Sequence, residues 1–283
     1  MRAVSRRRVA KDRVLTLTML TLSALTVGPM AHILLEVVAK GAPVVLSAGF
    51  KFFTDPPPPP GGGELGGIGP VIEGTAAMVA LAALISLPVG TLAAVYMSEY
   101  PRSRLTRVSE AITHLLVEFP SIVVSLFVYT VIVVPMGTPS TLAGAISLAI
   151  MMLPYVTTQV REALRSIPST HREAAFALGL SRAKAVFYVF FGIARRGILS
   201  GAILGLAKAT GETAPVLFTA GSAFYGFYGL TGPAGTVTLL IYKFAQTPYA
   251  NWQQVAWGAA FILVAAVVAA ILGLRFLVRE VRL

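Results

Sequence analysis

The chain has 283 residues, 56% of them hydrophobic and 12% charged, with a mean hydropathy of +0.78. Soluble domains carry about 25% charged residues, so this chain lacks the polar side chains to cover a water-facing surface. Its net charge of +11 would suit nucleic acid, but the basic residues sit in short segments between apolar runs, which is the pattern of membrane topology and not of a DNA-binding face. The absence of cysteine excludes disulfides, thiolate metal sites and cysteine nucleophiles.

Six apolar runs, at 14–38, 68–97, 111–135, 140–160, 198–221 and 253–278, match the roughly 20 residues a helix needs to cross a bilayer. They predict an all-α integral membrane protein. The first run follows Arg6, Arg7, Arg8, Lys11 and Arg13. It is about twice as long as the 7–15-residue core of a secretory signal, so it reads as a retained span. Between the first two runs lies TDPPPPPGGGELGG. Its prolines favour an extended stretch and its glycines flexibility, which predicts a linker. The third and fourth runs are separated by a tight hairpin from Pro135 to Pro139. The chain thus divides into an N-terminal part, 1–67, and a bundle of five further spans, 68–283.

Lys and Arg accumulate on cytoplasmic segments. Arg102, Arg104 and Arg107 lie between the second and third runs, seven basic residues lie between Arg161 and Arg196, and Arg275, Arg279 and Arg282 end the chain. The opposite segments hold only Lys40, Lys51 and Lys243. This asymmetry predicts a multi-pass protein of the cell (inner or plasma) membrane with both termini cytoplasmic.

The segment from Arg161 to Arg196 is too long for a turn. Thr170 and Glu173 have the spacing of a capping box, Gly179 suits the left-handed residue that ends a helix, and Ser181 can cap the next one. Two short helices joined at Gly179 are expected on the cytoplasmic face. REAAFALGLSRAKAVFYVFFGIARRGIL resembles the EAA loop of ABC-importer permeases, matching at Glu173, Ala174, Ala175 and Gly179. Gly192 and Arg196 stand where that family usually has prolines. The resemblance implies the six-helix, type I (MetI-like) permease bundle, with the loop as coupling helices seated in a groove of a cytoplasmic ATPase. Small Ala174, Ala175 and Gly179 would allow close approach there, and Arg172, Arg182 and Lys184 could pair with acidic groups on the ATPase. No G-x-x-x-x-G-K-[ST] phosphate loop occurs in the chain. The chain is therefore expected to be no enzyme and to bind no cofactor, with ATP and Mg²⁺ used by a separate ATPase.

Lys208 and Glu212 fall within the fifth run, four residues apart and so on one helix face. Ionisable residues at membrane depth are functional candidates by default. Lys208 with Thr210, Glu212 and Thr213 could offer a cation and neutral donors to an anion in transit, with Glu212 limiting how tightly it is held. The bland alternative is a salt bridge that only neutralises two buried charges. KATGETAPVLFTA, GGIGPVIEGT and TPYANWQQVAWGAAFIL resemble the phosphate-importer permeases of the Pst system, PstA type, although that family commonly has arginine at the position of Lys208. This resemblance implies a phosphate pathway, with another oxyanion such as sulfate, molybdate or a phosphonate as the alternative cargo, shared with a second homologous permease (PstC type). It also implies an ATPase dimer and an extracytoplasmic phosphate-binding protein as partners. Glu118 and Glu73 are weaker candidates. The three histidines show no metal-ligand spacing, and neither a metal site nor nucleic-acid binding is expected.

Overall fold

The computed structural model describes residues 6–279, with side chains from 11 to 273. Arg6, Arg7, Arg8, Arg275 and Arg279 therefore have only their backbones described, and Arg282 lies outside the described residues. The described chain is all helical. Helix α1 runs Arg6–Ala48 and α2 Lys51–Thr54. They are followed by α3 at Gly69–Glu99, α4 at Arg104–Glu118 and α5 at Ser121–Met136, the last with a π turn at Tyr129–Val133. Next come α6 at Thr141–Arg165, α7 at Ser169–Ala177 and α8 at Arg182–Gly211, with a π turn at Val186–Phe190. The chain ends with α9 at Ala214–Leu217, α10 at Val237–Ala245 and α11 at Ala250–Arg279. Helices α1, α3, α6, α8 and α11 are each long and apolar enough to cross a membrane, and α4 with α5 makes a bent sixth candidate.

Two expected spans are not continuous helices. The third, 111–135, breaks at Phe119–Pro120, where the axes of α4 and α5 differ by 105°. Pro120 disfavours helical geometry in the residue before it, and Phe119 is extended at ψ 130°. The fifth, 198–221, ends at Gly211, and Glu212 is already extended at ψ 133°. From there to Thr236 the chain is irregular apart from α9. The third-to-fourth hairpin is as tight as expected: Gly137 takes φ +72°, and the Ser140 hydroxyl accepts from the Ala143 amide at 3.1 Å to cap α6.

Helix α6 is the centre of the bundle, with Met152, Val156, Val160 and Leu164 fully or almost fully buried. Its neighbours approach at glycines. A Cβ on Gly197 of α8 would stand 2.3 Å from the Ala163 Cβ, one on Gly201 2.8 Å from the Gln159 Cβ, and one on Gly205 3.0 Å from Met152. The pairing sets α8 antiparallel to α6. On the other flank, Gly90 of α3 meets Val156 and Gly144 of α6 meets Met78, so α3 runs parallel to α6. Small residues in this four-residue rhythm let helix backbones approach closely where apolar burial gives no drive, because lipid is as apolar as leucine.

The proline loop is not the free linker its composition suggests. Pro57 and Pro58 are buried. The Trp252 indole donates to the Pro58 carbonyl at 2.9 Å, and the Asn251 amide donates to that of Pro59 at 2.8 Å and accepts from the Gly61 amide at 3.2 Å. Trp252 also stacks on Phe244 with ring centroids 4.2 Å apart. The glycines serve close packing: Gly66 adopts φ +58°, and a Cβ on Gly67 would lie 2.4 Å from the Lys51 carbonyl. Helix α1 joins this end of the bundle through Gly41, whose backbone abuts Trp257 and Phe261 of α11.

Gly197→Leu should push α8 off α6 and cost about 1–3 kcal/mol, the usual range for overpacking. Gly192→Ala, whose Cβ would meet nothing within 4 Å, should be neutral or stabilising by about 0.5–1 kcal/mol through helix propensity. Thermal unfolding of both variants in detergent checks the contrast.

Candidate functional site

The EAA segment begins at Pro168, which caps α7 without a side-chain bond. The capping box is not formed, because the helix starts at Ser169 and places Thr170 inside its first turn. Glu173 and Ala174 are exposed, Phe176 is 42% and Leu178 81% exposed, and Ala175 faces inward at 3%. The smallness of Ala175 therefore serves packing within this chain. Gly179 stands at φ +77° with open space where a Cβ would be, so backbone strain is the constraint and collision is not. The Ser181 hydroxyl accepts from the Lys184 amide at 3.5 Å and caps the following helix. That helix is not short. With Gly192 and Arg196 in place of helix-breaking prolines, it runs unbroken through the π turn to Gly211.

Two arginines expected to face a partner are engaged within the chain. Arg172 Nη1 is 2.7 Å from Glu99 Oε1, its Nη2 donates to the Leu164 carbonyl at 2.9 Å and the Ser98 hydroxyl at 3.3 Å, and its guanidinium lies 4.7 Å from the Phe190 ring centroid. Arg182 donates to the Glu99 carbonyl at 3.2 Å and lies over Tyr100. Beside them, Glu110 of α4 pairs with Arg161 of α6 and stands 3.9 Å from Arg165.

At the other end of α8 lies the second set of candidates. Lys208 Nζ is 2.6 Å from Glu212 Oε1 and 5.8 Å from the ring centroid of Tyr155, near the middle of α6. The Lys208 side chain is 40% exposed and that of Glu212 11%. Lys208 sits in the last turn of α8, where the helix dipole favours a cation. Glu212 is past the helix, yet the bend returns its carboxylate to the amine. The Thr238 hydroxyl fixes that bend by donating to the Glu212 carbonyl at 2.9 Å.

The threonines are placed differently. Thr210 lies about 200° around the helix from Lys208. Its hydroxyl donates to the Leu206 carbonyl at 2.8 Å, and its side chain lines a cleft of about 450 Å³ with Thr75, Val79 and Ile262. Thr213 is half-buried and precedes α9, its carbonyl accepting from the Val216 amide at 3.3 Å. Lys208 and Glu212 therefore come together, joined by Tyr155, and Thr210 does not reach them. Glu118 and His114 are exposed on α4, and among the described residues no cluster of three acidic or histidine side chains could hold a metal. Sequence reasoning missed Tyr155, although Tyr155 and Gln159 stand one turn apart in a largely apolar span. It also missed the glycines at 197, 201 and 205, whose spacing was visible.

A bundle of apolar helices around a small-residue core, with a helical loop projecting from one end and a helix carrying an ion pair at its break, is the architecture of a membrane permease subunit. The family of binding-protein-dependent transport system inner membrane components matches residues 86–283. The probable phosphate transport system permease protein PstA of Methanocaldococcus jannaschii is 39% identical over 96% of this chain and 95% of its own length. The PstA protein of Pasteurella multocida is 36% identical over 83% of this chain and 82% of its own. Among solved structures, the inward-facing MetNI methionine ABC transporter shares the fold at a TM-score of 0.60 and 20% identity, over 76% of this chain and 97% of that one. A bacterial alginate ABC transporter, solved with a pentasaccharide-bound periplasmic protein, aligns at 0.64 and 13% identity over 97% of both chains. The chain belongs to the inner membrane components of binding-protein-dependent transport systems and, among them, to the PstA permease proteins.

Removing Lys208 alone leaves a largely buried carboxylate without its cation, and breaking a buried pair from one side costs more than replacing both partners. Lys208→Met should therefore lower the unfolding midpoint in detergent more than Lys208→Met combined with Glu212→Gln does.

Proposed function

We propose that the chain is the permease subunit through which an ATP-driven importer moves phosphate, with Lys208 holding the anion briefly on its way. The observation that carries the reading is a lysine side chain, 40% exposed, set at a helix break in the middle of an apolar bundle. A charge at that depth is costly unless it faces a partner or a water-filled path. The Lys208 amine is paired, and its side chain is still partly open. Glu212 neutralises it when the path is empty and competes with a bound anion, which speeds release. The Tyr155 phenol lies on the same side and would add a neutral donor. That the oxyanion is phosphate is supported by the PstA relatives, whose names specify phosphate transport.

The chain carries no phosphate loop of its own, so ATP and Mg²⁺ act on a separate ATPase dimer that docks at the exposed face of α7 through Glu173, Ala174 and Leu178. A second homologous permease completes the pathway, and an extracytoplasmic protein delivers the anion. The α7 end, rich in arginine, faces the cytoplasm, and the proline loop faces the opposite side. With an even number of crossings, both termini are cytoplasmic.

In proteoliposomes holding the assembled importer, Lys208→Gln should reduce labelled-phosphate uptake at least about tenfold, since losing a charge-assisted contact costs about 1.5–3 kcal/mol. Lys208→Arg should keep activity because the charge stays. Glu212→Gln should bind phosphate more tightly and release it more slowly. Wild-type uptake by Lys208→Gln would remove this residue from the pathway.

A further inference from the structure

Glu99 is the last residue of α3 and its side chain is only 6% exposed, yet it carries a charge at the rim of an apolar bundle. Buried carboxylates are rare unless paired. Its partner, Arg172, is the fourth residue of α7 and is itself 22% exposed. The guanidinium serves four neighbours at once: the Glu99 carboxylate and the Ser98 hydroxyl on α3, the Leu164 carbonyl near the end of α6, and the Phe190 ring in the π turn of α8. A lysine could not do this, because only the planar fork presents donors along several directions while its face lies on an aromatic ring. Phe176 of α7 meets the same Phe190 ring edge-on, with centroids 6.4 Å apart. Arg182 adds a bond from the start of α8 to the Glu99 carbonyl. Apart from Arg182, these anchors converge from the inward side of α7, leaving Glu173, Ala174 and Leu178 outside.

From this arrangement we infer that Arg172 and Glu99 form the joint that converts movement of α7 into movement of the membrane helices. They are positioning residues, acting through the helices they bind and touching neither nucleotide nor anion. A helix fastened to α3, α6 and α8 through one guanidinium carries the ends of all three when it is displaced. The π turn at Val186–Phe190 interrupts the regular hydrogen-bond ladder of α8, and helices bend at such turns, so bending of α8 concentrates there. Arg161 and Glu110 tie α4 to α6 nearby, which extends the same rigid unit to the bent helix pair.

The inference rests on the docking of α7 against an ATPase, and its test separates the two. The assembled importer, in proteoliposomes with its ATPase and binding protein, is measured for ATP hydrolysis and for phosphate taken up per ATP. Arg172→Gln, Arg172→Lys and Glu99→Gln should each assemble and hydrolyse ATP. Their uptake per ATP should fall about tenfold, within the range that residues along a coupling path command. Glu173→Lys changes only the outward face and should weaken ATPase association. Normal uptake per ATP in Arg172→Gln and Glu99→Gln would overturn the joint. Normal assembly and coupling in Glu173→Lys and in Gly179→Val would instead overturn the docking.

Should Arg172→Gln fail to assemble, the wild-type joint can be read directly, because the chain has no cysteine. Spin labels at His171→Cys and Arg102→Cys, both exposed, should keep one separation with and without trapped ATP. A separation that changes between the two states overturns the joint.

Discussion

Hydrocarbon offers no hydrogen bonds, so each backbone amide and carbonyl inside a membrane must find its partner within the protein, at a cost of several kcal/mol if it does not. Helices meet this demand by themselves; a helix break does not. The break after Gly211 is tolerated because α6 begins beside it with free amides. The backbone N–H groups of Ser140, Thr141 and Leu142 donate to the carbonyls of Thr219, Gly232 and Leu230 at 2.9 Å each. The Thr141 hydroxyl adds Gly229 at 2.8 Å, and the Val237 amide closes on the Thr75 hydroxyl at 2.9 Å. Orphan groups of a helix start thus satisfy those of an irregular segment. Once the break is stable, Glu212 is free to turn back on Lys208.

The two ends of α8 are surrounded by charge used in different ways. At the break, a half-exposed lysine and a nearly buried glutamate neutralise each other without other ionic partners among the described residues. At the opposite end, Arg172 and Glu99 are bound by several fixed neighbours, so nothing there is free to exchange. Helix α6 connects them: Tyr155 stands beside the first pair, and the Leu164 carbonyl belongs to the second. The glycine contacts along α8 keep that connection stiff, because interdigitated backbones cannot slide without unpacking.

Much of this was legible in the residues. Apolar run lengths located the spans, the E-A-A-x-x-x-G pattern located α7, and Gly179 announced its left-handed turn. What composition concealed was where apolar sequence stops being helical. Pro120 was a visible breaker, but the course of the stretch from Gly211 to Ala220 is held from elsewhere in the chain, by the Ser140 amide on the Thr219 carbonyl, the Ser125 hydroxyl on that of Pro215 and the Thr238 hydroxyl on that of Glu212. Lys208 and Glu212 at i and i+4 suggested one helix face; the pairing holds, although a bend and not a helix makes it. Thr210 was grouped with them by proximity in sequence, and two residues along a helix point to opposite sides. Arg172 and Arg182 looked like surface charges because nothing local reveals that Glu99, over seventy residues earlier, ends beside them. The proline loop was misleading for a similar reason, since its partners lie near the far end of the chain.

That last contact bears on how the protein is made. Pro58, Pro59 and Gly61 are fastened by residues 190 to 194 positions later. At elongation rates of about 5–20 residues per second, the loop waits roughly 10–40 s, unclasped, before Asn251 and Trp252 leave the ribosome. Gly41 of α1 waits somewhat longer still for Trp257 and Phe261. During that interval the first helix has almost nothing of its own chain to lean on, and its apolar surface has only lipid or an insertion chaperone for company. Closing the clasp is thus the natural last event of biogenesis, and the state before it is the one that membrane quality control has longest to inspect.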